Sequence, residues 1–261
     1  MASPAQRIWT VADPDVAAVL DWWSAEARPL PWRATRDVYA VWVSEVMSAQ
    51  TTAGRAAAAW ERWMARWPAV QSLASASLAE VLAQWQGLGY PRRARDLHRS
   101  ARIVVAAGWP CDLTELPGVG AYIAAAIRCF AREGPVLPLD VNVRRVLERR
   151  FPGGVDISGD PWRAGQAMME FGQRICAARP RCDACPVRHG CGGPDAVARR
   201  SGSRRRQARF EGSLRQRRGQ LLREVIATGG VAAADADAQA ADGLATDGLV
   251  ALEDGWLRPP R

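Results

Sequence analysis

Apolar residues recur at helical spacing through most of the first 195 residues of this 261-residue chain. Asp13-Pro14 opens one such stretch, which runs through Trp22 and Trp23. Others cover Tyr39 to Met47, Ala57 to Trp67, Leu78 to Trp85 and Pro91 to Ala107. An aspartate before a proline suits a helix start, because the carboxylate accepts from free N–H groups and proline lacks one that would otherwise go unpaired. No convincing period-two stretch interrupts the series, so the pattern predicts an all-α fold. The C-terminal part reads differently. From Leu214, LRQRRGQLLREVIA is a basic amphipathic helix, and a second helix is expected around Ala240 to Thr246. LVALEDGWLRP reads as two short strands about an Asp254-Gly255 turn. Helices followed by a wing-like hairpin predict a small winged-helix-like module over 213–261.

Composition narrows the partners. With 48% hydrophobic residues the chain can bury a full core, and no apolar run approaches membrane-spanning length. The expected setting is the cytoplasm of a bacterium, with association to the nucleoid, as a monomer. A formal net charge of +8 suits a polyanionic partner. Residues 196–212 form a basic linker that holds Arg199, Arg200, Arg204, Arg205, Arg206 and Arg209 among glycine and serine, and such a run adds nonspecific affinity for phosphates. All 35 basic side chains are arginine. A GC-rich genome would explain this, but the chemical consequence stands: arginine stays protonated and cannot form a Schiff base, so an amine-dependent covalent mechanism has no ε-amine to use.

Four cysteines, Cys176, Cys182, Cys185 and Cys191, lie at C-x5-C-x2-C-x5-C spacing, which packs four soft ligands into sixteen residues. Thiolates suit zinc and iron-sulfur clusters. Structural zinc modules usually pair two close knuckles, whereas here one tight pair is flanked by two single cysteines, and the spacing favours a [4Fe-4S] cluster. Two disulfides, or chance clustering of buried thiols, are the competing readings; with no signal peptide ahead of them, a reducing compartment disfavours the first. Cys111 and Cys129 sit alone in apolar surroundings and read as ordinary buried thiols.

Upstream, LPGVGAYIAAAI from Leu116 to Ile127 reads as a hairpin between two helices. Gly118 and Gly120 can take backbone angles closed to other residues, and their bare N–H groups can approach a phosphate where the next helix begins. A P-G-V-G turn alone is weak evidence. PLDVNVRRV follows, with Asp140 just before a helix that carries Arg144 and Arg145. Asp140 is a helix cap or a chemical group, and the two roles are compatible.

PWR (Pro31 to Arg33), VWVSEVMSAQTT (Val41 to Thr52), GLGY (Gly87 to Tyr90), LPGVG, LDVNVRRV, QAMMEFG (Gln166 to Gly172) and the four cysteines occur in order. Over residues 15 to 191 the chain resembles the MutY-type adenine DNA glycosylases of the wider endonuclease III superfamily. The resemblance implies a two-lobed helix-hairpin-helix glycosylase domain over residues 1–195, with a six-helix barrel at about 30–130 and a cluster lobe from 1–29 and 131–195. It implies double-stranded DNA with a mismatch or lesion as partner, a [4Fe-4S] cluster on the four cysteines, and phosphate contacts at Gly118 and Gly120.

Breaking a purine N-glycosidic bond needs a proton on the leaving base and negative charge near an oxocarbenium-like sugar. By resemblance Glu45 is the acid that protonates adenine N7, which calls for a closed, apolar setting. Asp140 stays ionised and stabilises the cation, and Asn142 orients it. Arg28, Trp32, Arg33 and Gln166 line the base pocket, with Ser48, Thr51 and Leu88 beside it. Tyr122 closes over the flipped nucleotide; it stands where bifunctional relatives carry their lysine, so this enzyme should use water. Gln50 and Tyr90 match the positions that fill the gap left by the extruded base.

The chain departs from the family at Ser48-Ala49, where LQ is common, at Pro91, at Ala164-Gly165, and in a first cysteine gap of five residues instead of six. A small hydroxyl at Ser48 changes the pocket, so the rival substrate is a mismatched thymine or uracil, or another modified base. The 213–261 tail is too short for the Nudix-like domain of many relatives. A reading of another class, a non-catalytic iron-sulfur DNA-binding or redox-sensing protein, is disfavoured by retention of both Glu45 and Asp140.

Overall fold

The computed structural model describes residues 13–193 and 209–260. Most of the basic linker, including Arg199, Arg200, Arg204, Arg205 and Arg206, lies outside the described residues. Eleven α-helices account for most of the described chain, and the three strands all belong to the C-terminal segment. The fold is the all-α helix-hairpin-helix class that the pattern and the resemblance predict, with the small winged-helix-like module at its end. Two compact units divide the chain, the first from residues 1–42 and 120–204 and the second from 43–119 and 205–261.

In the first unit α1 (Pro14–Glu26) starts at the expected pair, with the Asp13 side chain accepting from the Asp15 N–H at 2.8 Å. It packs on α9 (Pro161–Arg174), which also carries α7 (Ala121–Phe130) and α8 (Val141–Arg150). The core is Val16, Val19 and Trp23 against Val143, Val146, Met168, Phe171 and Ile175. Gly165 allows the close approach of α7 to α9, because a methyl there would stand 2.7 Å from the Phe130 ring and 2.8 Å from the Cys129 sulfur. Cys129 is a buried thiol as expected, donating to the Pro161 carbonyl at 3.0 Å. Cys111 is exposed, contrary to expectation. Its neighbours in GWPCD form an irregular connection ahead of the Leu113–Glu115 turn, and that connection leaves the side chain in solvent.

In the second unit lie most of α2 (Val38–Ser48), then α3 (Ala53–Arg66), α4 (Val70–Ser75), α5 (Leu78–Gln84) and α6 (Arg92–Ala107). Ser77 and Glu80 form a reciprocal capping box that starts α5. Trp63 stacks edge-on with Trp67 and Trp85, at 4.7 and 5.7 Å between ring centroids. The C-terminal segment belongs to the same unit. Its α10 (Leu214–Thr228) and α11 (Ala238–Thr246) match the predicted helices. β2 (Ala251–Glu253) and β3 (Trp256–Arg258) flank the Asp254-Gly255 turn, and a further two-residue strand, β1 (Val231–Ala232), pairs with β3 to give the order β1-β3-β2. Asp247 accepts from Arg218 of α10 and, through its backbone carbonyl, from Arg95 of α6; this bonds the module to the α6 helix.

Among the described residues no helix is long and apolar enough to cross a membrane.

Candidate active site

In the first unit, Asp140 is the N-cap of α8. Its Oδ1 accepts from the backbone N–H groups of Asn142 and Val143 at 2.8 and 2.7 Å, and its Oδ2 accepts from the Asn142 side-chain amide at 2.6 Å. Three donors therefore set the carboxylate's orientation, so capping and chemistry draw on one geometry. Asn142 is itself fixed from its other end: its Oδ1 accepts from Arg145 at 2.8 Å. The same guanidinium donates to the carbonyls of Gly172 and Cys176, each at 2.7 Å. A continuous run of hydrogen bonds thus joins Asp140 to the backbone of the first of the four cysteines. Gly172 makes it possible, since any Cβ there would lie 2.8 Å from the Asn142 carbonyl oxygen and 2.9 Å from its carbon, both backbone atoms that cannot move aside.

Arg28, Arg33 and Gln166 come together, and the residue that gathers them is Glu170, which sequence reasoning missed. Glu170 is 1% exposed. Its carboxylate accepts from Arg28 Nε at 2.7 Å, from an Arg33 terminal nitrogen at 2.6 Å, from Arg174 at 3.3 Å and from the Trp23 indole at 3.2 Å. Burial alone would raise its pKa, but the arginines outweigh burial and hold it below the ordinary carboxylate value. Burial pulls Arg33 down, with Glu170 opposing. Arg33 also donates from Nε to Gln166 Oε1 at 3.0 Å, which leaves the Gln166 amide N–H groups as the donors it can offer a ligand. Trp32 is buried in the Pro31–Ala34 turn. The Tyr122 hydroxyl lies 3.8 Å from the Met169 sulfur, on the face of α7 turned to α9.

The four cysteines line one cavity of about 230 Å³, together with Arg149 and Ile175. Burial pushes the Cys185 thiol up in pKa, and the three other cysteines add to the rise, which records their closeness. Among the described residues, no three or more cysteine, histidine or acidic side chains converge as ligands of a single ion. A lone tetrahedral zinc needs its sulfurs drawn in to about 2.3 Å from one centre, whereas a multi-iron cluster needs space between them, and a cavity ringed by four sulfurs fits the second. Buried Arg149 donates to Cys176 Sγ at 3.5 Å and the Gly193 N–H to Cys191 Sγ at 3.4 Å, so cationic and N–H donors already face the sulfurs.

In the second unit, Glu45 is 7% exposed on α2, whose Val43, Ser44, Val46 and Met47 are also buried. The helix ends at Ser48, half-buried, and Gln50 follows in an exposed, left-handed conformation with φ of 56°. Thr51 is half-buried, and Leu88, within the GLGY loop, is buried. Tyr90 is 42% exposed, also left-handed at φ of 48°, after Gly87 and Gly89 at 89° and 71°. Of the hairpin glycines, Gly118 has φ of 76° and could not carry a side chain without strain, and a Cβ would meet the Asp96 Cβ at 2.9 Å. Gly120 corrects the expectation: its φ is −91°, open to any residue, because it is simply the residue before α7. What it keeps free is space, with nothing within 4 Å of a would-be Cβ.

The model of the HhH-GPD superfamily of base excision DNA repair proteins matches residues 43–155. The chain is 38% identical over 229 residues to the adenine DNA glycosylase of Mycolicibacterium smegmatis, covering 78% of each chain. With the human adenine DNA glycosylase it shares 40% identity over 208 residues, covering 67% of this chain and 38% of that one. Among solved structures it is similar to a thermostable thymine-DNA glycosylase, with a TM-score of 0.62, 26% identity, and coverage of 69% of this chain and 94% of the other.

Proposed function

Because this chain belongs to the HhH-GPD superfamily of base excision DNA repair proteins, among its MutY-type adenine DNA glycosylases, we propose that it removes adenine mispaired with 8-oxoguanine or guanine in double-stranded DNA, by hydrolysis and without cutting the strand. The observation that carries the reading is Asp140, held at the start of α8 by three donors, in a chain that also keeps Glu45 buried on α2. Glu45 donates a proton to N7 of the extruded adenine as the bond from N9 to C1′ breaks, and the base leaves neutral. Asp140 supplies negative charge beside the cationic sugar. Water then adds to C1′ and gives up a proton. Gln166, its oxygen engaged by Arg33, offers amide N–H groups to an acceptor on the base edge. Gln50 and Tyr90 take the place of the extruded nucleotide.

Cys176, Cys182, Cys185 and Cys191 hold a [4Fe-4S] cluster in this reading. When bound, the cluster ties residues 176–191 together through four iron-thiolate bonds and can carry an electron. The protein's own part is the Arg145 bridge, which seats the backbone of Cys176 on the residue that orients Asp140.

A panel of duplexes holding each mismatch and common oxidised base, treated with enzyme and then with hot alkali, tests the proposal. Alkali-dependent breaks are expected at adenine opposite 8-oxoguanine or guanine, with no adduct trapped by borohydride, since no lysine amine exists to form one. Release of thymine or uracil instead would move the enzyme to the rival substrate that Ser48 suggests. No release from any duplex would favour the non-catalytic DNA-binding reading.

A further inference from the structure

The second unit contains a half-buried arginine that no step above uses. Arg93, in the first turn of α6, donates from one terminal nitrogen to the carbonyls of Val46 and Ala49 at 2.6 and 2.7 Å, and from the other to the carbonyls of Leu88 and Gly89 at 3.1 and 3.2 Å. Ala49 immediately precedes Gln50, and Gly89 immediately precedes Tyr90. Gln50, Tyr90, Glu133 and Asp254 are the non-glycine residues with positive φ among those described, so two of them each follow a carbonyl held by this one side chain. Left-handed backbone is costly for residues with a Cβ and persists where surroundings over-determine it. The Trp85 indole adds a donor to the Gly89 carbonyl at 2.9 Å, and the guanidinium lies over the Trp85 and Tyr90 rings at 5.3 and 5.5 Å from their centroids. Val46 and Ala49 lie at the end of α2, where carbonyls lack helical partners and a positive charge is favourable.

We propose that Arg93 is a positioning residue for base extrusion: one planar guanidinium locks the loop after α2 and the GLGY loop to each other, and so presents Gln50 and Tyr90 to the duplex as a single preformed wedge. The inference rests on the function proposed above, which makes those two residues the ones that enter DNA. Lysine cannot replace it, because a tetrahedral ammonium has three donors on a flexible stem and cannot reach four carbonyls in two directions. A wedge matters only where a base pair must be opened, since unstacking and unpairing are the steps it offsets. Arg93 should therefore matter for paired adenine and little for adenine that is already unpaired.

The test compares base release by the full-length protein and by Arg93→Lys on two duplexes, one with adenine opposite 8-oxoguanine and one with adenine opposite an abasic analogue. Arg93→Lys is expected to slow release from the paired duplex about 10- to 100-fold, while release from the unpaired one stays within about 3-fold, the split that separates opening from chemistry. Equal slowing on both duplexes would overturn the inference, as would no slowing on either. If Arg93→Lys does not melt cooperatively, Trp85→Phe carries the same test: it keeps the ring in the core and removes one donor from Gly89. It is expected to slow release about 3-fold on the paired duplex alone, the scale of one lost hydrogen bond, and equal or absent effects would again overturn the proposal. Wild-type protein that releases adenine from neither duplex would overturn the function proposed above and this inference with it.

Discussion

The two units hold their functional groups by opposite means. In the first, side chains are bonded to side chains: Glu170 gathers Arg28, Arg33 and Arg174, Arg33 sets Gln166, and Asn142 stands between Asp140 and Arg145. In the second, the carbonyls just before the exposed residues Gln50 and Tyr90 are held by Arg93, whose guanidinium also lies over the Tyr90 ring. A site that must discriminate a base gains from buried charges with every position fixed by a partner. In the proposed wedge, what is held is the backbone that carries the two side chains.

The sharpest way to break this contrast is at Asp140. Asn is as good a helix cap as Asp, so Asp140→Asn should leave α8 and the melting temperature nearly unchanged while base release falls by about 10²- to 10⁴-fold. Comparable losses of stability and activity would show that Asp140 is only a cap. Activity within a few fold of wild type would show that the charge is not needed.

Glu170 comes next. Replacing it with glutamine leaves Arg28 and Arg33 packed with no counter-charge, and breaking a buried ion pair in this way costs about 3–5 kcal/mol. Thermal unfolding should report a loss of that size. Its pH dependence is also determined: the folded pKa is depressed below 4.5, so the stabilisation is fully present above that value and is lost as pH falls through the folded one. Glu170→Gln should therefore flatten that part of the acid limb. A variant as stable as wild type, with the same acid dependence, would show that Glu170 does not hold this network together.

Much of the fold was legible because its signals are local. Asp13-Pro14 announces α1, apolar residues at helical spacing from Ala57 to Trp67 announce α3, and the Asp254-Gly255 turn announces the hairpin. The six-residue α4 and the two-residue β1 are too short to show a period, and their packing partners, α6 and β3, lie well away along the chain. At the site the motifs brought out Asp140, Glu45 and Gln166. They did not bring out Glu170 or Arg93. Each reads as an ordinary charge in a helix, and each acquires its role from contacts with distant residues: Glu170 meets Arg28 across 142 positions, and Arg93 meets Val46 across 47. Gly172 likewise looks like a plain end to QAMMEFG until Asn142 is seen against it.

The most direct measurement is the single-turnover release of free adenine from a duplex with adenine opposite 8-oxoguanine, by wild-type protein and by Glu45→Gln. An amide cannot donate the leaving-group proton as a carboxylic acid does, so the variant should bind the duplex with wild-type affinity and release adenine at least about 10²-fold more slowly. Wild-type protein should leave the strand whole until alkali is added. Near-normal release by Glu45→Gln, or strand cleavage by the wild type without alkali, would contradict the account.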